Sequence, residues 1–465
     1  MFRLQFLGAA ETVTGSKFYL TDGRINILID CGLYQGLREL RRRNWDPLPV
    51  DPSTIDYCIL THAHIDHTGY IPKFVKDGFR GQILCTRPTV DLCKIMLLDS
   101  AHLQEEDAAY ANKKGFSKHE IALPLYNTAD AEASLQYFKP MNYNQVYRLS
   151  DTVEIKFLDA GHLLGSSILE IILRCDGKIR RLICSGDLGH YQVPILKNPS
   201  PVYRGDYLLM ESTYGDRLHS KECIDVELEK TINDTFAAGG VLLIPSFSVG
   251  RTQALLYYIK KLQDDGRINK KTNVYIDSPM AINATEIFLK YRDYHNIETQ
   301  KLEDAGQSPI LCHNLTYVRK QEESKKLNAL GPGNIIISAD GMCTGGRILH
   351  HLVQRIQDKR NTVLFVGYQA VGTRGRRILE GEKEIKIFGQ MYNVQANIKS
   401  IDGFSAHADY EEILYWLSNF ETKPSKVYLV HGEDKSLISL QEKIKAKYKD
   451  WDVEIAKYRE TVVLN

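Results

Sequence analysis

The segment Thr61-His62-Ala63-His64-Ile65-Asp66-His67, with Gly69 just beyond it, places four candidate metal ligands in six positions. It follows Tyr57-Cys58-Ile59-Leu60, an apolar run with the length of a short buried strand. A strand that stops at three histidines and a carboxylate sets imidazoles and an oxygen ligand on one tight loop. Neutral imidazole and carboxylate suit zinc, and two clusters of them suit a pair of zincs. The bland alternative is a solvated His-rich loop. The rest of the chain must supply the remaining ligands if that alternative is to fail.

Two further strand ends carry ligand-type residues: Asp159-Ala160-Gly161-His162 follows Ile155-Lys156-Phe157-Leu158, and Ser185-Gly186-Asp187 follows Leu182-Ile183-Cys184. Alone, such a histidine is a hydrogen-bonded structural residue and such an aspartate a helix cap. Beside residues 62–67, both gain weight, because strand ends on one edge of a sheet converge in space. Near the C-terminus, Phe404-Ser405-Ala406-His407-Ala408-Asp409 precedes an amphipathic helix containing Ile413, Leu414, Trp416 and Leu417. Val427-Tyr428-Leu429-Val430 ends in His431-Gly432-Glu433.

The elements that must position these residues fall into three stretches. Residues 1–205 read as short strands separated by turns, with a helical region across 86–140. Residues 206–392 alternate strand and helix. Val241–Ile244 leads into Pro245-Ser246 and a helix through Leu262, Val274–Ile276 into a helix over Ile282–Tyr291, Ile335–Ile337 into a helix near Leu349–Ile356, and Val363–Val366 into Gly367-Tyr368-Gln369. Repeated βα units imply a parallel, Rossmann-like sheet with its working loops at strand C-termini. No GxGxxG or Walker A pattern occurs. Gly345-Gly346-Arg347 and Gly372-Thr373-Arg374-Gly375 are either phosphate-facing turns or ordinary ones. Residues 393–465 return to ligand-bearing strand ends, so 206–392 reads as an insertion into a domain that closes after it.

Length agrees with two or three domains and composition with a soluble globular protein, at 465 residues, 43% hydrophobic and 25% charged, while the mixture of strand runs and flanking helices reads as α/β layers. No apolar run is long enough for a membrane helix and no signal peptide is visible, so no membrane partner is expected. Nine scattered cysteines without a CxxC argue against disulfides and thiolate zinc sites and for a reducing cytoplasm. With a net charge of +1, any nucleic-acid-binding field must be local. Arg38 with Arg41, Arg42 and Arg43, and Arg180 with Arg181, read as solvated faces, while Arg374, Arg376 and Arg377 stay open as a binding patch.

The pattern of residues 62–67, His162 and Asp187 resembles the signature of the metallo-β-lactamase fold. Glu211 in Met210-Glu211-Ser212-Thr213-Tyr214, then His407 and His431, resemble the additional motifs of its β-CASP branch, and the likeness spans nearly the whole chain. It implies an αββα sandwich carrying an inserted Rossmann-like β-CASP domain. It also implies a nuclease similar to short prokaryotic ribonucleases and to the cleavage subunit of eukaryotic pre-mRNA 3′-end processing. Family members acting on DNA carry a small apolar residue where this chain has His431, so the resemblance implies RNA, expected to be single-stranded. It leaves internal and 5′-terminal cleavage both open, together with a possible homodimer.

Carried over residue by residue, the resemblance gives one zinc to His62, His64 and His162 and a second to Asp66, His67 and His431, with Asp187 bridging. Two such ions ~3.5–4 Å apart make hydroxide available near neutral pH and neutralise charge on a phosphodiester under attack. His407 becomes the general acid for the leaving ribose oxygen, and Glu211 orients it. Asp66 counts with both as catalytic. Asp30 either supports the metal loop from behind or is a turn residue after a strand. Ser405, Ser246 and Arg374 are candidate substrate contacts. His102, His119, His190, His219, His295, His313, His350 and His351 fit no motif and read as structural or surface residues. Rival readings are a DNA nuclease, a thioester or lactone hydrolase on the same scaffold, and a silent RNA-binding subunit.

Overall fold

Phe2–Phe6 shows the rule that builds the first half of the molecule: Phe2, Leu4 and Phe6 are buried, and Arg3 and Gln5 face outward. That period of two marks a strand with one face on a core. The computed structural model describes residues 1–114, 121–175, 177–220, 223–367, 369–370 and 372–465. His119 and Tyr368 therefore lie outside the described residues. The chain forms two units, Met1–Gln192 with Lys197–Leu218 and His407–Asn465, and Val193–Leu196 with His219–Ala406.

The first unit contains two seven-stranded sheets. One runs from Thr461–Leu464 through Phe2–Phe6, Phe18–Thr21, Asn26–Ile29, Tyr57–Ile59 and Gln82–Thr86 to Phe138–Met141. The other runs from Val453–Ile455 through Lys426–Val430, Tyr207–Glu211, Lys178–Cys184, Ser167–Cys175 and Val153–Asp159 to Val146–Arg148. Apolar residues of both sheets, among them Phe6, Ile29, Leu84, Phe157, Leu182 and Tyr428, form one shared core. The outer face of the second sheet is covered by the helices Tyr410–Leu417 and Asp434–Lys447 through Trp416, Leu437 and Leu440. The helix Arg87–Lys114 packs on the first sheet. This is the expected αββα sandwich.

One sequence expectation is corrected. The helical region across 86–140 stops short, because Phe138–Met141 is an edge strand paired in parallel with Ile83–Thr86. Pro140 fits an edge, where its missing N–H costs no ladder bond. The structural divisions fall away from 206 and 392. Tyr207–Glu211 is a central strand of the first unit, paired in parallel with both Leu182–Cys184 and Lys426–Val430. At the other end, Asn397–Ser400 pairs in parallel with Thr362–Phe365 in the second unit.

The second unit is built on a six-stranded sheet with parallel pairing throughout, ordered Asn314–Tyr317, Asn273–Asp277, Asn334–Ser338, Leu242–Pro245, Thr362–Phe365, Asn397–Ser400. Its central strands are buried along their whole length, as parallel strands covered on both faces must be. The expected Rossmann-like layer is therefore present. Among the described residues no helix is long and apolar enough to cross a membrane.

Candidate metal centre

In the second sheet the strands ending at Cys184, Glu211 and Val430 are mutually parallel neighbours, so Asp187, Glu211 and His431 emerge on one edge. The strand ending at Asp159 runs the same way, being antiparallel to a strand that is antiparallel to Lys178–Cys184. His162 thus arrives at the same edge. In the first sheet, the loop after Tyr57–Ile59 turns into the short helix Ile65–Thr68, closed by hydrogen bonds from His67 N and Thr68 N to His64 O. Gly32 is required beside it, since a Cβ there would stand 1.5 Å from Asp66 O. Gly186 reaches Asp187 through a left-handed turn at φ 55°, a conformation open to glycine.

Two sets of donor atoms converge. His62, His64, His162 and Asp187 form one, and Asp66, His67 and His431 form the other. His64 Nδ1 lies 3.0 Å from His62 Nε2 and 3.2 Å from His162 Nε2, and His67 Nε2 lies 3.1 Å from His431 Nε2. A tetrahedral zinc with bonds of about 2.0–2.1 Å needs ligand nitrogens about 3.3 Å apart, close to these separations. Asp187 stands between the sets. Its Oδ2 is 3.4 Å from His62 Nε2 and 3.6 Å from His162 Nε2, while its Oδ1 is 3.3 Å from His67 Nε2 and 3.7 Å from His431 Nδ1. Asp187 is buried, yet among the described residues its Oδ1 accepts no hydrogen bond. An ionised oxygen left so is costly unless a cation takes it. The donor set therefore fits a pair of divalent metals.

In the metal-free protein the charge states of His62, His64 and His162 agree with that fit. Burial, reinforced by neighbouring imidazoles, lowers the pKa of His62 and His162 and takes His64 down to about 3. All three are neutral, as ligands must be. Burial also opposes charge on His67, but Asp187 and Asp30 outweigh it and raise its pKa. Asp187 is held below the usual carboxylate range: burial pushes it up, and His431, His67 and His62 more than reverse this. Asp66 is lowered in the same way by His431 and His67.

Supporting residues surround the candidate ligands. Asp30 Oδ2 sits 2.8 Å from His67 Nδ1, and its Oδ1 accepts from Thr61 N at 2.7 Å, which fixes the ring with Nε2 toward Asp187. Sequence reasoning gave no role to Thr61, whose hydroxyl touches Asp30 and lies 3.1 Å from His62 Nδ1. Thr213 was missed as well; its Oγ1 lies 3.1 Å from His431 Nδ1. The signal for Thr61 was its place directly before the motif, and Thr213 stands two residues after Glu211.

His407 Nδ1 lies 3.2 Å from Glu211 Oε1, and its ring leans against that of His162, tilted by 51° with centroids 4.5 Å apart. Burial lowers its pKa, but the charge and hydrogen bond of Glu211, with Asp187 and Asp66 beyond, raise it to about 8. Glu211, Asp187 and His431 also converge closely enough for a cation. However, Glu211 Oε1 accepts from Leu188 N at 2.6 Å and its Oε2 from Thr213 N at 3.2 Å, so its oxygens are already engaged.

The proposed substrate contacts lie in the second unit. Ser405 is buried after the turn Asp402–Phe404, and Ser246 is buried with its hydroxyl 3.3 Å from Phe247 O. Arg374 donates to Lys386 O at 2.9 Å and to Cys343 O, binding a loop and a hairpin together. Among histidines outside the motifs, His190 pairs with Glu412 at 2.7 Å and His351 with Asp277 at 2.7 Å.

Three family descriptions match successive stretches: a metallo-beta-lactamase superfamily domain over residues 19–186, a Beta-Casp domain over 252–378, and a Zn-dependent metallo-hydrolase RNA specificity domain over 391–456. The chain is 36% identical to ribonuclease TTHA0252 of Thermus thermophilus, covering 94% of this chain and 95% of that one. It is 31% identical to the transcription termination factor FttA of Methanocaldococcus jannaschii, over 96% of this chain and 69% of the relative. An RNase J-like protein of the same organism is 29% identical over 93% of each. A solved structure of a protein of unknown function from Enterococcus faecalis shares the fold at a TM-score of 0.55 and 12% identity, over 100% of both chains.

Proposed function

The chain belongs to the β-CASP branch of the metallo-β-lactamase superfamily, a group of metal-dependent hydrolases, and on that premise we propose that it is a two-zinc ribonuclease acting on single-stranded RNA. The observation that carries the metal assignment is Asp187, whose two oxygens face different histidine sets while one of them lacks a hydrogen-bond donor. His62, His64 and His162 would hold one ion, Asp66, His67 and His431 the other, with Asp187 shared. When bound, the ions would lower the pKa of water toward neutrality and offset charge on the phosphodiester. RNA as substrate is supported by the RNA specificity domain that contains His407 and His431, and by the ribonuclease name of the relative TTHA0252.

His407 supplies the step that metals do badly. As water attacks phosphorus, the bond to the ribose oxygen breaks and that oxygen needs a proton. Glu211 holds Nδ1, so Nε2 is the nitrogen that hands the proton over. A pKa raised to about 8 keeps His407 protonated at neutral pH. Asp30, through Nδ1 of His67, fixes a ligand ring and takes no part in proton transfer.

The test compares leaving groups. His407→Ala should slow cleavage of a single-stranded RNA about 10²–10⁴-fold while changing bis(p-nitrophenyl) phosphate hydrolysis little, because nitrophenolate leaves without a proton. Equal losses on both substrates would remove the general-acid role. Turnover of DNA or small esters with none of RNA would overturn the ribonuclease reading.

A further inference from the structure

The arginines at 38 and 41–43 look like a solvated face in the sequence, but the fold adds aromatic partners from the far end of the chain. Arg43 lies over the ring of Tyr458 at 4.3 Å and over Tyr34 at 5.5 Å, and Arg459 covers the same Tyr458 ring at 5.3 Å. Trp45, two residues after Arg43 in the chain, has 59% of its surface exposed. Among the described residues the side chains of Arg38 and Arg42 make no hydrogen bond or ion pair, and Arg41 lies within the electrostatic reach of Asp107. The neighbouring acids are Glu39, Asp46, Asp107 and Glu460, fewer than the five arginines at 38, 41, 42, 43 and 459, in a chain whose net charge is +1.

This surface is tied to the metal loop. Cys31 N donates to His67 O at 2.8 Å and Leu33 N to Ile65 O at 3.0 Å. Next along the chain, Tyr34 exchanges two hydrogen bonds, of 2.9 and 2.8 Å, with the side chain of Asn44, which closes the loop bearing the arginines. An exposed indole within seven residues of four arginines on one short segment can stack a base while the guanidiniums grip neighbouring phosphates.

We propose that Arg38, Arg41, Arg42 and Trp45, backed by the Arg43–Tyr458–Arg459 stack, form a contact for single-stranded RNA outside the metal centre. The choice of RNA over an acidic protein rests on the ribonuclease reading above. The contact holds a stretch of the strand by its backbone and one base, and it contributes to binding of long substrates and not to the chemical step.

Tryptophan fluorescence tests it, because Trp416 is fully buried and Trp451 is stacked at 4.3 Å on Tyr448. A phosphorothioate oligouridine of about twelve nucleotides should quench the zinc-loaded wild-type protein, and Trp45→Phe should abolish the quench. The triple variant R38E/R41E/R42E should bind the oligonucleotide at least tenfold more weakly and lower its salt slope by about two. Hydrolysis of bis(p-nitrophenyl) phosphate, too small to reach the patch, should be unchanged in every variant. An undiminished quench in Trp45→Phe, or unchanged affinity in the triple variant, overturns the proposal. Unchanged RNA affinity with lost polyglutamate binding reassigns the patch to an acidic protein and equally overturns it. If the wild type cleaves neither RNA nor the diester while the quench persists, the nuclease reading falls and the RNA contact stands.

Discussion

Asp187 and Asp277 are both buried carboxylates near the ends of sheet strands, and both are ringed by histidine and other polar groups. They differ in how their oxygens are satisfied. Asp277 accepts from Ser324 Oγ at 2.5 Å, from an Arg347 guanidinium nitrogen at 2.7 Å and from His351 Nε2 at 2.7 Å. Its charge is matched by one fixed cation and its lone pairs are taken. Asp187 faces imidazoles from two sides at 3.3–3.7 Å and keeps an oxygen without a donor. A satisfied cluster is complete as protein and serves packing, whereas an unsatisfied one is complete only with cations. Residue type does not separate the two; hydrogen-bond accounting does.

The widest separation should come from removing each carboxylate. Asp187→Asn should cut RNA cleavage by on the order of a thousandfold, with melting in chelator close to that of the wild type. Asp277→Ala should do the reverse: a loss of about 3–5 kcal/mol, read as a melting temperature lower by about 10 °C, with turnover of the folded enzyme nearly unchanged. Activity assays paired with calorimetry decide it. If both variants lose stability and neither loses activity, the distinction collapses.

Asp30 offers an intermediate test, since it touches a proposed ligand and no substrate. Asp30→Ala should weaken metal binding about 10–100-fold, measured by competition with a chromophoric chelator, and excess zinc should restore much of the activity. An activity loss that zinc fails to rescue would mean that Asp30 does more than orient His67.

The smallest effect concerns acid. Burial raises the pKa of Asp277, but His351, Ser324 and Arg347 outweigh it, and the net shift is downward. A carboxyl depressed in the folded state contributes stability that is fully present above its unfolded pKa of about 3.9 and is lost as pH falls through the folded value. The wild type's stability advantage over Asp277→Ala should therefore be flat from neutral pH to about 4.5 and shrink below about 4. An advantage that grows on acidification would contradict the assigned charge pairing.

How legible was this in the chain? The residues of the candidate metal centre are spread over His62–His67, His162, Asp187 and His431, and each stands within a few residues of an apolar run that folds as a strand. Local pattern therefore pointed to the strand ends, and parallel pairing of Lys178–Cys184, Tyr207–Glu211 and Lys426–Val430 brings Asp187 and His431, with Glu211 between them, to one edge. The Asp277 cluster was not legible, because only Arg347 and His351 share a spacing, four residues apart at the start of one helix, while Asp277 and Ser324 come from a distant strand end and another helix. The same reason hid Tyr458 behind Arg43, a contact across more than four hundred residues of sequence. The extent of the region 86–140 was misread because Phe138–Met141 is short and contains Pro140, a weak strand signal that only its pairing with Ile83–Thr86 resolves.

The central claim is that Asp187 completes a two-ion centre. Metal content per chain, measured by mass spectrometry after dialysis against zinc and then metal-free buffer, tests it most directly. Two equivalents in the wild type, and one or fewer in Asp187→Asn, is the expected result. A wild-type chain that retains none, or an Asp187→Asn variant that retains two, would contradict it.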